Sequence, residues 1–194
     1  MPAPSHASHA EIDRPSAWVQ RFAALIPSGE VLDLACGSGR HSRLLAAVGH
    51  PVLAVDRDAE SLAQAAGTGI VTLRHDLEAA DEAARWPFAA ARFAGVVVTN
   101  YLFRPLLNAI VESLAPHGVL IYETFAEGNA QFGKPSNPDF LLAHGELLAL
   151  AQTRGLHVLA YEDGYVETPK PAMLQRLCAI KPGAPLAAAD FRLS

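Results

Sequence analysis

Val31-Leu-Asp-Leu-Ala-Cys-Gly-Ser-Gly-Arg-His41, followed by Pro51-Val-Leu-Ala-Val-Asp56, decides how this chain folds. The first stretch opens on a short apolar run that holds one acid and ends in Gly37-Ser-Gly39. An amphipathic segment leads from there to a second apolar run, closed by a carboxylate. Strand, glycine turn, helix, strand and acid make one nucleotide-binding βαβ unit. Glycines at 37 and 39 let the chain turn sharply and let a ligand lie against bare backbone at the start of the helix. A dinucleotide fingerprint would run on to a third glycine, but position 42 is Ser. Asp33, ahead of the glycines, would repel a phosphate and attract a cation.

The pattern extends in both directions. Ser16 is placed to cap a helix over 17–26, with Trp18, Phe22 and Ile26 at four-residue spacing. Strands are predicted at 31–35, 52–55, 70–73, 93–99 and 119–123. Helices are predicted at 40–48, 59–66 (with Asp58 as its cap) and 104–115, and a weak Ala/Glu-rich helical stretch opens at Asp76. Pro116-His-Gly118 reads as a turn. Strands that alternate with helices give a parallel, doubly wound α/β sheet. The end of the chain differs: a helix over 146–154 precedes two strands, 156–161 and 173–180, with no helix between them. Such a pair runs antiparallel.

A chain of 194 residues with 51% hydrophobic residues fits one domain with a sheet covered on both faces. The expected organisation is a tail over 1–15, a single domain over 16–182 and a tail over 183–194. A net charge of −5 argues against a broad phosphate-binding surface, so no nucleic-acid partner is expected. Cys36 and Cys178 form no disulfide framework or zinc spacing, and no pair of histidines has metal-ligand spacing. His41 and His144 read as capping or packing residues. No transmembrane run or signal peptide is visible, which makes the cytoplasm the expected location.

Three acids follow one another in register with the strands. Asp33 suits an ammonium or sulfonium. Asp56, at the end of the second strand, can accept both hydroxyls of an unphosphorylated ribose. Asp76, with Leu77 after the third strand, can accept from an adenine amino group. Residues 31–124 therefore resemble the class I S-adenosylmethionine-dependent methyltransferases: Asp-Leu-Ala-Cys-Gly-Ser-Gly is similar to that family's first motif, Asp56 to its ribose acid and Asp76-Leu77 to its adenine turn. The resemblance implies a Rossmann-like, seven-stranded, mostly parallel sheet ending in an antiparallel hairpin. It implies S-adenosylmethionine as cofactor, bound by Asp33, Ala35, Cys36, Gly37, Ser38, Gly39, Asp56, Arg57, Asp76, Leu77 and Asn100. The short N-terminal helix and the run Phe140-Leu-Leu-Ala-His-Gly-Glu-Leu147 are most similar to the small tellurite-resistance-type (TehB-like) methyltransferases. One departure is Ala94 after Phe93, where many members carry an acid.

The acceptor crevice of such a sheet lies beyond the carboxyl ends of its strands. Tyr101, Tyr122 and Glu123 are the catalytic candidates there, the last two as bases for an amine or hydroxyl nucleophile. Arg104, Asn129 and Lys134 are the candidate substrate contacts. The segment from Phe125 to Leu142 reads as an ordered lid. A thiolate or chalcogen oxyanion acceptor would need no base. The expectation is methyl transfer to a small molecule by a monomer or homodimer. Methylation of RNA or protein, an NAD-linked oxidoreductase and a non-catalytic cofactor-binding protein are the competing readings.

Overall fold

A computed structural model of the protein describes residues 14–81 and 85–183. Seven strands form one sheet: β1 (Val31–Leu34), β2 (Val52–Asp56), β3 (Ile70–Arg74), β4 (Phe93–Thr99), β5 (Leu114–Phe125), β6 (His157–Val166) and β7 (Ala172–Ile180). Their order is β3-β2-β1-β4-β5-β7-β6. The first five run parallel, and β7 inserts antiparallel between β5 and β6. The expected doubly wound sheet with its antiparallel end is thus present.

Helices cover both faces because the central strands are apolar on both. On one face, α1 (Ala17–Phe22) and α2 (Arg40–Ala47) bring Trp18, Phe22 and Leu45 against Val31, Val97, Val119 and Ile121. α3 (Ala59–Ala65) packs Leu62 and Ala65 against Ala54 and Cys36. On the other face, α4 (Leu107–Ser113) and α5 (Glu146–Thr153) bury Ile110, Val111 and Leu147 against Leu32, Leu34, Val96, Val98 and Tyr122. Every residue of β4 is buried, as a central parallel strand requires. Each such aliphatic side chain contributes about 1.5–3 kcal/mol.

The caps follow the sequence. The Ser16 hydroxyl accepts from the Trp18 N–H, and the Asp58 carboxylate accepts from the Glu60 and Ser61 N–H groups. Several boundaries differ from expectation. The first helix tightens into a 3-10 turn at Ala23–Leu25, and Arg104–Leu106 is a 3-10 turn ahead of α4, with Pro105 in its first turn. Pro116-His-Gly118 does not end the pairing: β5 begins at Leu114, shifts register between Phe93 and Gly95 of β4, and absorbs the turn as a bulge with His117 at φ 66°. β6 runs on to Val166, beyond the expected end at 161, because β7 pairs with it throughout. The predicted tails fall largely on residues 1–13 and 184–194, outside the described residues; the Ala/Glu-rich stretch opening at Asp76 is a turn and bend over residues 76–81 instead of a helix, and 82–84 lie outside the described residues. No helix among the described residues is long and apolar enough to cross a membrane.

The segment from Phe125 to Leu142 is tied down. Leu142 N–H donates to the Phe125 carbonyl at 3.0 Å and Glu127 N–H to the Leu142 carbonyl at 2.9 Å. Two 3-10 turns, Asn129–Gln131 and Pro138–Phe140, shape its interior.

Candidate functional site

At the carboxyl ends of β1, β2, β3 and β4 lies a cleft of about 260 Å³, lined by Ala35, Asp56, Arg57, His75, Asp76, Leu77, Glu78, Asn100 and Tyr101. Seven of these are residues singled out from the sequence; His75 and Glu78 were missed. Both flank Asp76-Leu77, so taking the turn after β3 as one unit would have found them. Three carboxylates against one guanidinium make the wall acidic, which disfavours a pyrophosphate.

Asp56 is fixed before any ligand arrives. Its Oδ2 accepts from the Gly37 N–H at 2.8 Å and its Oδ1 from the Asp58 N–H at 2.9 Å. A carboxylate has about four acceptor positions, so two remain for a diol. The bond to Gly37 also ties the glycine turn to the end of β2. Asp76 Oδ1 accepts from the Glu78 N–H at 3.0 Å, which makes it a turn cap as well as a cleft wall. Ala35 (φ 52°) and Asn100 (φ 54°) are left-handed non-glycine residues, and both line the cleft. Strain of that kind collects at ligand sites.

The two glycines divide the work. A Cβ on Gly39 (φ 80°) would lie 2.5 Å from the Ala65 Cβ, so this glycine permits α2 to start against α3. A Cβ on Gly37 (φ 53°) would meet nothing within 4 Å. Gly37 therefore offers uncovered backbone. Ser38 and Cys36 do not line the cleft: the Ser38 carbonyl accepts from Arg43, and the Cys36 thiol is buried, its pKa pushed up by that burial and then by Asp33.

Asp33 lies behind the turn, 1% exposed, on the α2 face of the sheet. Ser42 Oγ donates to its Oδ2 at 2.5 Å, whereas Oδ1 has no partner among the described residues. Burial pushes its pKa up to about 6, with the Ser42 bonds pulling it back. An orphaned, buried carboxylate oxygen is the feature that a cationic group would satisfy.

The acceptor-side candidates are placed otherwise than expected. Tyr122 is fully buried and its hydroxyl donates to the Tyr101 carbonyl at 2.9 Å; burial raises its pKa well beyond the ordinary phenol value. A buried phenol committed to that carbonyl is poorly suited to act as a base. Glu123 is 6% exposed and holds Arg176 Nε at 2.6 Å, and Arg176 also reaches Glu162 at 3.0 Å. This carboxylate is neutralised by a guanidinium and is no ready base. Arg104 donates to Glu146 (2.7 and 2.9 Å) and to the carbonyls of Asp139 and Leu141 (2.8 Å each), clamping the 125–142 segment instead of a substrate. Asn129 is buried, donating to the Pro135 carbonyl at 3.0 Å and accepting from the Met173 N–H at 3.1 Å, so its amide is structural too. Lys134 is exposed and away from the cleft lining. Tyr101 does line the cleft. Its hydroxyl oxygen is buried without a hydrogen-bond partner among the described residues, and burial followed by Glu78 raises its pKa.

With this geometry in hand, residues 31–118 match the family model described as a methyltransferase domain. Over that stretch the chain is similar to a methyltransferase domain. TehB from Haemophilus influenzae has the same fold, with a TM-score of 0.68 and 22% identity over 84% of this chain; the match spans only 61% of the TehB chain. The 1,6-didemethyltoxoflavin-N1-methyltransferase of Burkholderia thailandensis, solved with 1,6-didemethyltoxoflavin and S-adenosylhomocysteine, aligns at TM-score 0.63 and 21% identity over 89% of this chain and 80% of its own. The [4+2]-cyclase SpnF is similar as well, at TM-score 0.63 and 15% identity, over 85% of this chain and 78% of that one. No curated protein sequence matches the chain. The family match ends at residue 118, within β5, so the antiparallel end of the sheet lies outside it.

Proposed function

We propose that this chain binds S-adenosylmethionine and transfers its methyl group to a small-molecule acceptor. One observation carries the reading. Asp56, Asp76 and the strained Ala35 and Asn100 converge on a single acidic cleft beside the uncovered Gly37 backbone, with the orphaned Asp33 oxygen behind it. S-adenosylmethionine supplies a methyl group already activated on a sulfonium. The residues present fit the rest of that molecule. Asp56 has two acceptor positions left for ribose hydroxyls, and Asp76 with Leu77 forms the adenine end. Asp33 draws the α-ammonium. Asp56 would serve the ribose of NAD equally well; Asp33, behind the glycine turn where a pyrophosphate would lie, is what disfavours that cofactor.

What remains for the protein is to align nucleophile, methyl and sulfur and to keep water out. Tyr122 and Glu123 are both committed to other partners, which favours an acceptor whose reacting lone pair is available at neutral pH. A thiolate or a chalcogen oxyanion fits that requirement, as does an unprotonated nitrogen. The small-molecule acceptor of the Burkholderia enzyme on the same fold, and the acidic balance of this chain, favour small acceptors over RNA. SpnF is a reminder that the fold hosts other reactions.

The test is a methyl-transfer screen with labelled S-adenosylmethionine over thiols, tellurite, selenite, amines and phenols, with RNA and protein as further arms. Label appearing in a small product supports the proposal. Label only in RNA or protein, or binding without turnover on every acceptor, contradicts it.

A further inference from the structure

His41, the residue after Arg40 in the first turn of α2, is 1% exposed, and both of its ring nitrogens are bonded. Nε2 accepts from the backbone N–H of Ser16 at 3.0 Å. Nδ1 faces Thr99 Oγ1 at 3.2 Å. A nitrogen that accepts an N–H carries no proton, so the neutral ring must hold its proton on Nδ1 and donate it to Thr99. One side chain thus bridges the end of β4 and the N-terminal arm. The arm is stitched down further along: Arg40 Nη1 reaches the Arg14 carbonyl at 3.4 Å, and Trp18 Nε1 donates to the Leu177 carbonyl of β7 at 3.3 Å. Arg176 lies over the Trp18 ring at 5.9 Å. Residues 14–18 therefore run from the start of α2, past the end of β4, to Leu177 of β7, the register partner of Tyr122 in β5. The nucleoside acids Asp56 and Asp76 stand on the opposite side, after β2 and β3.

We propose that His41 is a positioning residue that pins the N-terminal arm to the end of β4, so that the arm walls the acceptor side of the cofactor cleft. Thr99 immediately precedes Asn100, a residue of the cleft, so the bridge holds cleft and arm in one register. Burial pushes the ring down to about 3, so the neutral, accepting form persists at working pH. The proposal rests on the methyl-transfer reading for its kinetic consequence, and on the ring's tautomer for its structural one.

Four variants test it. Gln at position 41 offers an amide oxygen for Ser16 and an N–H for Thr99, whereas Phe offers neither. His41→Phe is expected to raise the KM for the acceptor roughly tenfold, with affinity for S-adenosylmethionine unchanged, and His41→Gln to recover most of the loss. Ser16 has φ −55°, which proline adopts, so Ser16→Pro removes the bonded N–H without bending the chain. Ser16→Ala keeps that N–H and loses only the helix cap. Ser16→Pro should therefore behave like His41→Phe, and Ser16→Ala like the native protein. An unaltered acceptor KM in His41→Phe would overturn the proposal. So would a Gln variant as impaired as Phe, equal behaviour of the two Ser16 variants, or a parallel loss of cofactor affinity. If the native chain transfers no methyl group at all, the functional reading fails separately. Nitrogen-15 spectra of the His41 ring then decide: a protonated Nδ1 and bare Nε2 support the bridge, and a protonated Nε2 overturns it.

Discussion

At Asp33, burial and charge pull in opposite directions. Burial raises the carboxyl from 3.8 to about 6, so in the ligand-free protein the folded state holds its proton more tightly than the unfolded chain. The sign follows from linkage: this group's contribution to stability is fully present below 3.8 and is lost as pH rises through about 6. An ammonium beside Asp33 favours the carboxylate, so binding below pH 6 must expel a proton. Affinity for S-adenosylmethionine should therefore weaken as pH falls below about 6, by up to about tenfold per pH unit, and Asp33→Asn should flatten that dependence. His41, pushed down to about 3, stays neutral across the window and does not contribute. Calorimetric titrations at several pH values read both outcomes. Tyr122 makes the complementary case. Tyr122→Phe removes one hydrogen bond to the Tyr101 carbonyl, which should cost about 0.5–1.5 kcal/mol in denaturant unfolding and leave turnover intact. A collapse of turnover with normal stability would restore Tyr122 as a catalytic residue.

Among the elements, the glycine turn is where packing and binding separate. Gly39→Ala places a methyl group within 2.5 Å of Ala65 at φ 80°, and overpacking at the α2–α3 contact should cost about 1–3 kcal/mol of stability. Gly37→Ala meets no neighbour. Its stability loss should be limited to the left-handed backbone, about 1–2 kcal/mol, while cofactor affinity falls because the methyl group occupies the ligand's approach. Unfolding and binding curves on the two variants distinguish these effects. The turn was legible in the sequence because its chemistry is local: glycines, a following helix, an acid at the end of the next strand. The same holds for Ser16 and Asp58, whose caps need only adjacent N–H groups. The acceptor-side residues were not legible, since their partners are distant in sequence. Glu123 was read as a candidate base because nothing near it in the chain announces Arg176, which arrives across the sheet from β7. Arg104 and Asn129 looked like substrate contacts for the same reason, and their donors and acceptors turned out to hold the 125–142 segment in place.

For the molecule as a whole, periodicity made the strands and their parallel, doubly wound arrangement readable as far as β5, and the lack of a helix between the last two strands made the antiparallel end readable as well. The bulge at Pro116-His-Gly118 escaped because a turn signal gives no hint that pairing resumes on either side. The resulting architecture sets an acidic cleft at the ends of β1 to β4 and an ion-paired row, Glu123–Arg176–Glu162, across β5, β7 and β6. The central claim is that this cleft takes a cationic, phosphate-free cofactor. Calorimetric titration of the native protein with S-adenosylmethionine and with NADH, beside Asp56→Ala, tests it most directly. The account predicts binding of S-adenosylmethionine, weakened by about 1–3 kcal/mol in Asp56→Ala through loss of the ribose bonds, and no measurable binding of NADH. Tighter binding of NADH, or an unchanged affinity for S-adenosylmethionine in Asp56→Ala, would contradict it.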